Sequence, residues 1–356
     1  MKFFARKAAR KITRLFFATD LHGSQRTFRK FVNAGKFYEA NVLIMGGDIL
    51  GKIAVPIIHE GSGHYRATLQ GRTERLDTET ELQNLLDRIG ILGFYSKVME
   101  EDEFQAIHSD PAAVDALFHQ LARERLEEWI DLAETRLAGS GIKCFVTGGN
   151  DDYPDVLAVL ERADAQSIFG CEGELMQVDD DHTMISMGFS TPTPWRTPRE
   201  VSDDELGALI EPMIAQVPDL SRCIFNFHDP PVDSSLDTCP MLDWNTDPPS
   251  QIVKGGQLIL FGAGSASVRQ AIETHQPLLG LHGHIHESPG VIKIGRTTCI
   301  NPGSEYGEGV LRGCLVNLGG LQSVGPVDRA DPGRHLRLRL CLCRHLPGRC
   351  TVAVSR

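Results

Sequence analysis

Five short apolar runs in this chain stop abruptly at an Asp, Asn or His. Ile12 to Thr19 ends at Asp20-Leu21-His22, and Asn41 to Met45 ends in Gly46-Gly47-Asp48. Ile142 to Thr147 ends in Gly148-Gly149-Asn150-Asp151-Asp152, and Cys223 to Phe227 ends at His228. Pro277 to Leu279 leads into Gly280-Leu281-His282-Gly283-His284-Ile285-His286. Runs of this length read as buried strands. Open sheets gather their chemistry at the carboxyl ends of strands, where several chain ends meet. Seven nitrogen and oxygen donors are therefore expected in one place: Asp20, His22, Asp48, Asn150, His228, His284 and His286. In an extended chain i and i+2 share a face, so His284 and His286 are expected to aim at one point and Ile285 away from it. His282 falls on the same face and reads as a supporting or packing residue.

The intervals between the runs suggest the architecture. Ser24 can cap a helix through Ala34, which makes Ile12 to Met45 a strand-helix-strand unit with a parallel strand pair. Lys52 to Ile58 and His64 to Gln70 flank Glu60-Gly61-Ser62-Gly63 as a hairpin. Asp77 to Ile89 and Asp110 to Leu137 read as helices capped at Asp77 and at Asp110-Pro111. A short helix is expected over Tyr153 to Arg162, and helices over Asp203 to Gln216 and Ser265 to His275. Leu175 to Val178 and Thr183 to Met187 form a hairpin around Asp179-Asp180-Asp181, read as a solvated turn. Gly290 to Ile294, Thr298 to Ile300 and Gly309 to Leu318 complete a run of short strands.

Composition narrows the class. The chain has 356 residues, a net charge of -11 and 23% charged residues. That balance argues against a nucleic-acid-binding protein. No run approaches the roughly 18 apolar residues of a membrane span. Nine cysteines are scattered without a Cys-x-x-Cys pair, the pattern of free thiols in a reducing cytoplasm. Residues 1–12 carry a basic arm without the apolar core of a secretory signal. Residues 321–356 hold seven arginines against Asp328 and Asp331 and three of the nine cysteines. A disordered or non-native ending is the expectation there.

The motifs Asp20-x-His22, Gly47-Asp48, Gly149-Asn150, the lone His228 and Gly283-His284-x-His286 resemble, in kind and order, those of the calcineurin-like metallophosphoesterases. They frame residues 13 to 318. The Gly-Gly-Asn-Asp-Asp form of the third motif, with His228-Asp229-Pro230-Pro231, Asp237 and Asn301-Pro302-Gly303-Ser304, is similar to a bacterial and archaeal subgroup. The resemblance implies an α/β (α+β) fold, a four-layer α-β-β-α sandwich of two mixed sheets flanked by helices. It implies one domain over 13–320, with a hairpin and helical insertion at about 52–140. It also implies two divalent ions (Mn, Fe, Co or Zn). Asp20, His22 and His286 would hold one, Asn150, His228 and His284 the other, and Asp48 would bridge. The implied activity is hydrolysis of phosphate esters by a metal-bridging hydroxide, on a small-molecule substrate, with phosphodiesters or nucleotide-like molecules foremost. Phosphomonoesters, phosphoproteins, a nuclease or a non-catalytic scaffold are the rival readings; a scaffold of this kind tends to lose ligands, and here every ligand position is filled.

The expected catalytic residues are Asp48, Asn150, Asp151 and His228. The family usually carries a histidine directly after the motif-three asparagine, as the proton donor to the leaving group; this chain has Asp151. Cations nearby favour a carboxylate, so Asp151 is expected to orient water or a ligand rather than give up a proton. Substrates with acidic leaving groups, such as aryl diesters, should then react best. Among the other polar residues, His59 and His64 read as surface groups. Trp195 and Arg196 read either as pocket lining for a base or phosphate or as a loop anchor, and Asn301 to Ser304 as structural. The insertion reads as a cap over the site or as a decoration.

Overall fold

The computed structural model describes residues 12–161, 164–246 and 249–319, with the backbone of two later strands, 336–343 and 351–353. The expected basic arm, apart from Ile12, lies outside the described residues, as does the rest of 321–356 and Arg162. In chain order the elements begin with β1 (Ile12–Ala18), α1 (Gln25–Phe37) and β2 (Val42–Gly46). The long interval that follows holds β3 (Ala54–Gly61), β4 (His64–Leu69), β5 (Arg72–Leu76), α2 (Glu79–Ile91), β6 (Tyr95–Glu100), α3 (Glu101–His108) and α4 (Pro111–Leu137). Next come β7 (Lys143–Thr147), α5 (Pro154–Leu157), β8 (Ile168–Gly170), β9 (Leu175–Gln177), β10 (Thr183–Met187), α6 (Asp203–Ile214) and β11 (Cys223–Phe227). An arm of six very short strands follows: β12 (Thr238–Pro240), β13 (Leu242–Asp243), β14 (Ser250–Gln251), β15 (Val253–Lys254), β16 (Gln257–Leu258) and β17 (Leu260–Gly262). The chain then forms α7 (Ala266–His275), β18 (Leu279–Leu281), β19 (Gly290–Ile294), β20 (Thr297–Asn301), β21 (Leu311–Gly319), β22 (Leu336–Cys343) and β23 (Thr351–Ala353).

The fold is a mixed α+β arrangement with several sheets and, among the described residues, seven α-helices. One sheet runs β23-β22-β21-β1-β2-β7-β8, with β1, β2, β7 and β8 parallel and β21 antiparallel to β1. A second runs β19-β20-β18-β11-β10-β9, parallel from β20 through β10. Alternation along the strands divides the apolar residues between faces. Leu15, Phe17, Ile44 and Phe145 of the first sheet join Met184, Ile224, Leu279 and Ile300 of the second in one buried cluster. The opposite residues of the first sheet, Phe16, Leu43, Met45 and Val146, pack with Phe28 and Phe31 of α1 and Trp129 and Ile130 of α4. Those of the second sheet, Ile185, Phe225 and Cys299, pack with α6 and α7 through Leu206, Ile210, Val268 and Ile272. Phe28 and Trp129 stack with centroids 4.1 Å apart and fix α4 across α1.

Helix ends follow local chemistry. Ser24 precedes α1, whose buried positions Thr27, Phe28, Phe31, Val32 and Ala34 form one stripe. Asp110 caps α4 ahead of Pro111, and Ser202 with Glu205 makes a capping box on α6. The cap of α2 is Thr78 rather than the expected Asp77: the Thr78 hydroxyl accepts from Glu81 N–H, and the Glu81 carboxylate accepts from Asp77 N–H. The hairpin β3–β4 is present, but it belongs to a separate four-stranded sheet ordered β5-β4-β3-β6 with its own core of Val55, Ile57, Leu82, Leu85 and Ile89. Strands β5 and β6 have no clear period-two pattern, Arg72-Thr73-Glu74-Arg75 being polar throughout, so they are not legible as strands.

The turn between β9 and β10 is built rather than merely solvated. The Asp179 carboxylate accepts from the Asp181 and His182 N–H groups and faces the His182 ring at 2.9 Å. Burial pushes its pKa up, but hydrogen bonds from His182, Thr13 and Asp181 outweigh this and hold it well below the usual range. A depressed carboxylate pKa adds stability that is present above the unfolded value of roughly 4 and fades as the pH falls below it. Asp179→Ala should cost about 1–2 kcal/mol at pH 7 by chemical denaturation. The deficit should narrow at pH 3, and an equal deficit at both pH values would show that the carboxylate charge is not what matters.

Candidate metal centre

The loops after β1 and β2 continue their parallel pairing past the strands. Asp20 N–H donates to Gly47 O at 2.9 Å, His22 N–H to Asp48 O at 2.9 Å and Gly23 N–H to Ile49 O at 2.8 Å. Asp20, His22 and Asp48 all take left-handed backbone, with φ of 56°, 42° and 48°, and His284 does so at 66°. Such values are uncommon outside glycine and cost energy that the surroundings must offset. Here the offset is hydrogen bonding. The buried Asp152 carboxylate accepts from Ile49 N–H (3.0 Å), Leu50 N–H (2.8 Å) and Gly149 N–H (2.7 Å), and so ties the loop after β2 to the loop after β7. Gly149 must be glycine: a Cβ there would stand 2.1 Å from Asp48 Oδ1.

The donors converge as two groups that share one residue. Asp20, His22, Asp48 and His286 form one, and Asp48, His228 and His284 the other. His22 Nε2 and His286 Nε2 are 3.1 Å apart, and His286 Nε2 is 3.2 Å from Asp20 Oδ1. Asp48 Oδ2 lies 3.7 Å from His22 Nε2 and 3.4 Å from His228 Nε2. Asn150 Oδ1 faces His228 Nε2 at 3.1 Å and His284 Nδ1 at 2.7 Å, while its amide donates to Thr197 Oγ1 at 2.9 Å. His228 Nδ1 bonds Gly46 O at 2.8 Å, which fixes Nε2 toward the centre. Asp20, His22, Asp48, Asn150 and His228 are all buried.

Electrostatics sort the group. Burial pushes both carboxylates up, yet the imidazoles around them outweigh it, holding Asp20 at about 2 and Asp48 well below its usual value. Burial likewise opposes charge on His228, but Asp48 and Asp20 raise it to about 10. His284 falls to about 4 and His22 well below normal, burial being the main cause in each. The donor set fits divalent cations. The buried His22 Nδ1 has no hydrogen-bond partner, two imidazole nitrogens meet at 3.1 Å, and two buried carboxylates face the imidazole ring. Mixed imidazole and carboxylate donors suit first-row transition ions and zinc.

The expectation that His284 and His286 aim at one point by strand alternation needs correcting. Strand β18 stops at Leu281, and both histidines stand on the loop beyond it. The left-handed turn at His284 sends its ring to the group with His228 and leaves His286 in the group with His22. His284 N–H is anchored on both oxygens of Asp20, at 3.1 and 3.2 Å. His282 is buried outside both groups, its Nδ1 on Phe227 O at 2.8 Å. Asn301 donates to Gly283 O, Ile285 O and Leu236 O, and Ser304 Oγ to Asp20 O at 2.6 Å, so this segment holds the histidine loop in place.

Three residues beside the centre escape a reading by motif. Lys52 pairs with Asp151, whose N–H donates to Asp48 Oδ1 at 3.0 Å. Burial and the Asp48 charge push Asp151 up to about 6, and Lys52 pulls against them. The Tyr306 ring packs on His22 at 4.5 Å and on His286 at 5.9 Å. Asp152 is the third, and the doubled acid after Asn150 is the signal that points to it. His59 and His64 lie apart, in exposed pairs with Glu100 and Asp77.

The insertion supports these loops from beneath. Tyr95 Oη accepts from Gly51 N–H at 2.7 Å, Arg125 donates to Gly23 O at 2.7 Å, and Ser24 Oγ donates to Ile91 O at 2.7 Å. Gly93 lies so close that a Cβ there would meet His22 O at 1.9 Å.

No family model matches the chain. A 160-residue stretch is 26% identical to the uncharacterized protein MJ1162 of Methanocaldococcus jannaschii, covering 42% of this chain and 65% of that protein, less than two thirds of its length. Among solved structures, TT1561 of Thermus thermophilus is similar at a TM-score of 0.46 and 12% identity, over 85% of this chain and 94% of that one. GAP50, the anchor in the inner membrane complex of Plasmodium, is similar at 0.40 and 11%, over 93% and 84%. Scores below 0.5 leave both without weight for fold or function.

Divalent manganese or zinc at about a hundredfold over its dissociation constant should stabilise the protein by about 2.7 kcal/mol per site. Asp48→Asn, which alters the shared ligand, should remove most of that shift. Tyr95→Phe should cost about 1–2 kcal/mol and shrink the metal-dependent shift. Thermal unfolding with and without metal reads all three, and a shift of full size in Asp48→Asn would exclude a centre built on Asp48.

Proposed function

We propose that this chain is a calcineurin-like metallophosphoesterase that hydrolyses phosphate esters, phosphodiesters foremost, on a four-layer α-β-β-α sandwich. One observation carries the reading: seven donors from five separate loops meet as two groups that share Asp48. The packing of one face of each large sheet into a common core, with helices on the outer faces, supports the layered architecture. Asp20, His22, Asp48 and His286 would hold one cation, and Asp48, Asn150, His228 and His284 would hold the other. When bound, such a pair of ions supplies charge to neutralise the phosphoryl oxygens and lowers the pKa of water near neutrality.

The chain's own residues set the remaining terms. Asp48, with Asp151 N–H on one oxygen and the imidazoles of His22 and His228 near the other, is fixed between the two groups. Thr197 turns the Asn150 amide so that its oxygen faces inward. Lys52 brings a cation to the mouth, where the phosphate of a substrate arrives, and Asp151 holds that ammonium in place. Burial raises Asp151, but Lys52 and any bound cations pull it back toward the carboxylate and weaken it as a proton donor, and no imidazole follows Asn150 in the chain. Departure of the leaving group then depends on that group's own acidity.

Metal-loaded protein should therefore hydrolyse aryl phosphodiesters, and alkyl diesters on the order of a hundredfold more slowly, the usual size of a missing general acid. Asp48→Asn should lose about a thousandfold in kcat/KM. A chromogenic diester assay with a chelator control tests this. Equal rates on aryl and alkyl esters would remove the leaving-group argument, and absence of turnover in protein with verified metal content would remove the hydrolase.

A further inference from the structure

The arm from β12 to β17 has no counterpart in the motif reading, and its surface is unusual for this protein. Among the described residues, thirteen large apolar side chains are exposed. Six of them are on the arm: Met241, Trp244, Val253, Leu258, Leu260 and Phe261. A seventh, Trp195, is 68% exposed and meets Trp244 edge to face with centroids 5.9 Å apart. Scattered apolar residues on a surface need no explanation, whereas a contiguous set does.

The arm is attached at the rim of the metal centre on two sides. Its first strand is held at Thr238 O by the hydroxyl of Ser288, two residues beyond His286. Trp195, its partner across the gap, precedes by two residues Thr197, which bonds Asn150. Two residues span at most about 7 Å, so each attachment lies close to a ligand loop. Charge says what kind of group fits. The arm carries only Asp243, Asp247 and Lys254 between Thr238 and Gly262, too few to grip a polyanion. A cation, Lys52, stands at the centre, and a sparsely charged aromatic and aliphatic surface stands at its edge.

We infer that the Trp195–Trp244 arm surface binds the apolar substituent of an amphiphilic phosphodiester whose phosphate sits at the metal centre. This rests on the phosphodiesterase reading and names the substrate class within it. A planar or acyl group laid against the Trp195–Trp244 pair leaves water, while the phosphate reaches Lys52 and the ligand loops.

The test is a series of p-nitrophenyl alkyl phosphodiesters, methyl to octyl, used below their micelle concentrations with metal-loaded full-length protein. Half burial of each added methylene corresponds to roughly a twofold gain in kcat/KM, about a hundredfold across the series. In Trp244→Ser/Phe261→Ser the slope with chain length should flatten, and in Trp195→Ser, a change outside the arm, it should fall to about half. Circular dichroism and metal content, expected unchanged, show that each variant is folded and loaded. Turnover without dependence on chain length overturns the inference and leaves the hydrolase standing. An equal slope in wild type and both variants moves the apolar site elsewhere and overturns it too. A dimer that the arm substitutions dissociate, with the slope intact, assigns the surface to a second copy of the chain instead. No turnover on any member removes the hydrolase, and with it this inference.

Discussion

Two carboxylates buried among imidazoles govern this structure. Asp20 and Asp48 are nearly inaccessible to solvent, and burial alone would drive each of them neutral. They keep their charge because histidines from the loops after β1, β11 and β18 surround them, and the backbone turns left-handed at Asp20, His22, Asp48 and His284 where these loops converge. The strain at these positions and the burial of charge are the same feature seen twice. A strand that simply continued would stand its side chains alternately above and below the sheet; the left-handed residues break that alternation just beyond the strand ends. Cations would offset the charge more completely than imidazoles do, which gives the arrangement its chemical purpose.

Strained loops need support, and most of it comes from outside the ligand set. Asp152 binds three N–H groups from two loops. Asn301, at the end of the neighbouring strand β20, holds the histidine loop, and the Ser304 hydroxyl holds Asp20 O. Tyr95, Gly93 and Arg125, all in the long interval between the second and third motifs, brace the first two loops. Contacts of this kind give Gly93, Tyr95 and Arg125 a buttressing role, and Gly93 packs so tightly on His22 that no side chain fits between them.

Legibility in the sequence followed physical range. The strands carrying ligands were readable because they are buried on both faces and end in Gly, Asp or His. Three helices carry local caps at Asp110, Ser202 and Ser265, and Ser24 takes the N-cap position of α1 while its hydroxyl turns to Ile91 O. The small sheet was half readable: β3 and β4 alternate, but β5 is polar and β6 pairs in parallel with β3 across 30 or more residues. The arm was invisible because its strands are two or three residues long and bury little. At the centre, the identity of the donors was legible from the strand ends, and their division into two groups came from the family resemblance rather than from spacing. Which group His284 joins depends on one backbone angle, and composition at i and i+2 does not encode it.

Asp151 shows how a local substitution and its neighbour have to be considered together. A carboxylate where an imidazole is usual removes the usual proton donor and adds a negative charge beside the centre, 3.7 Å from His22 Nδ1. Left alone, that charge would repel a phosphate. Lys52 cancels it, and Lys52 itself is set only four residues beyond Asp48, on a loop whose Gly51 is pinned by Tyr95. The ion pair thus returns the mouth of the centre to a charge that an anionic ester can approach, while leaving proton supply to the substrate. If the centre hydrolyses phosphate esters as proposed, selection among substrates would shift away from acid catalysis at the phosphorus and toward what lies beside it. The exposed aromatic surface at the rim is the candidate, because an enzyme without a strong general acid gains most from binding the part of the substrate that does not react.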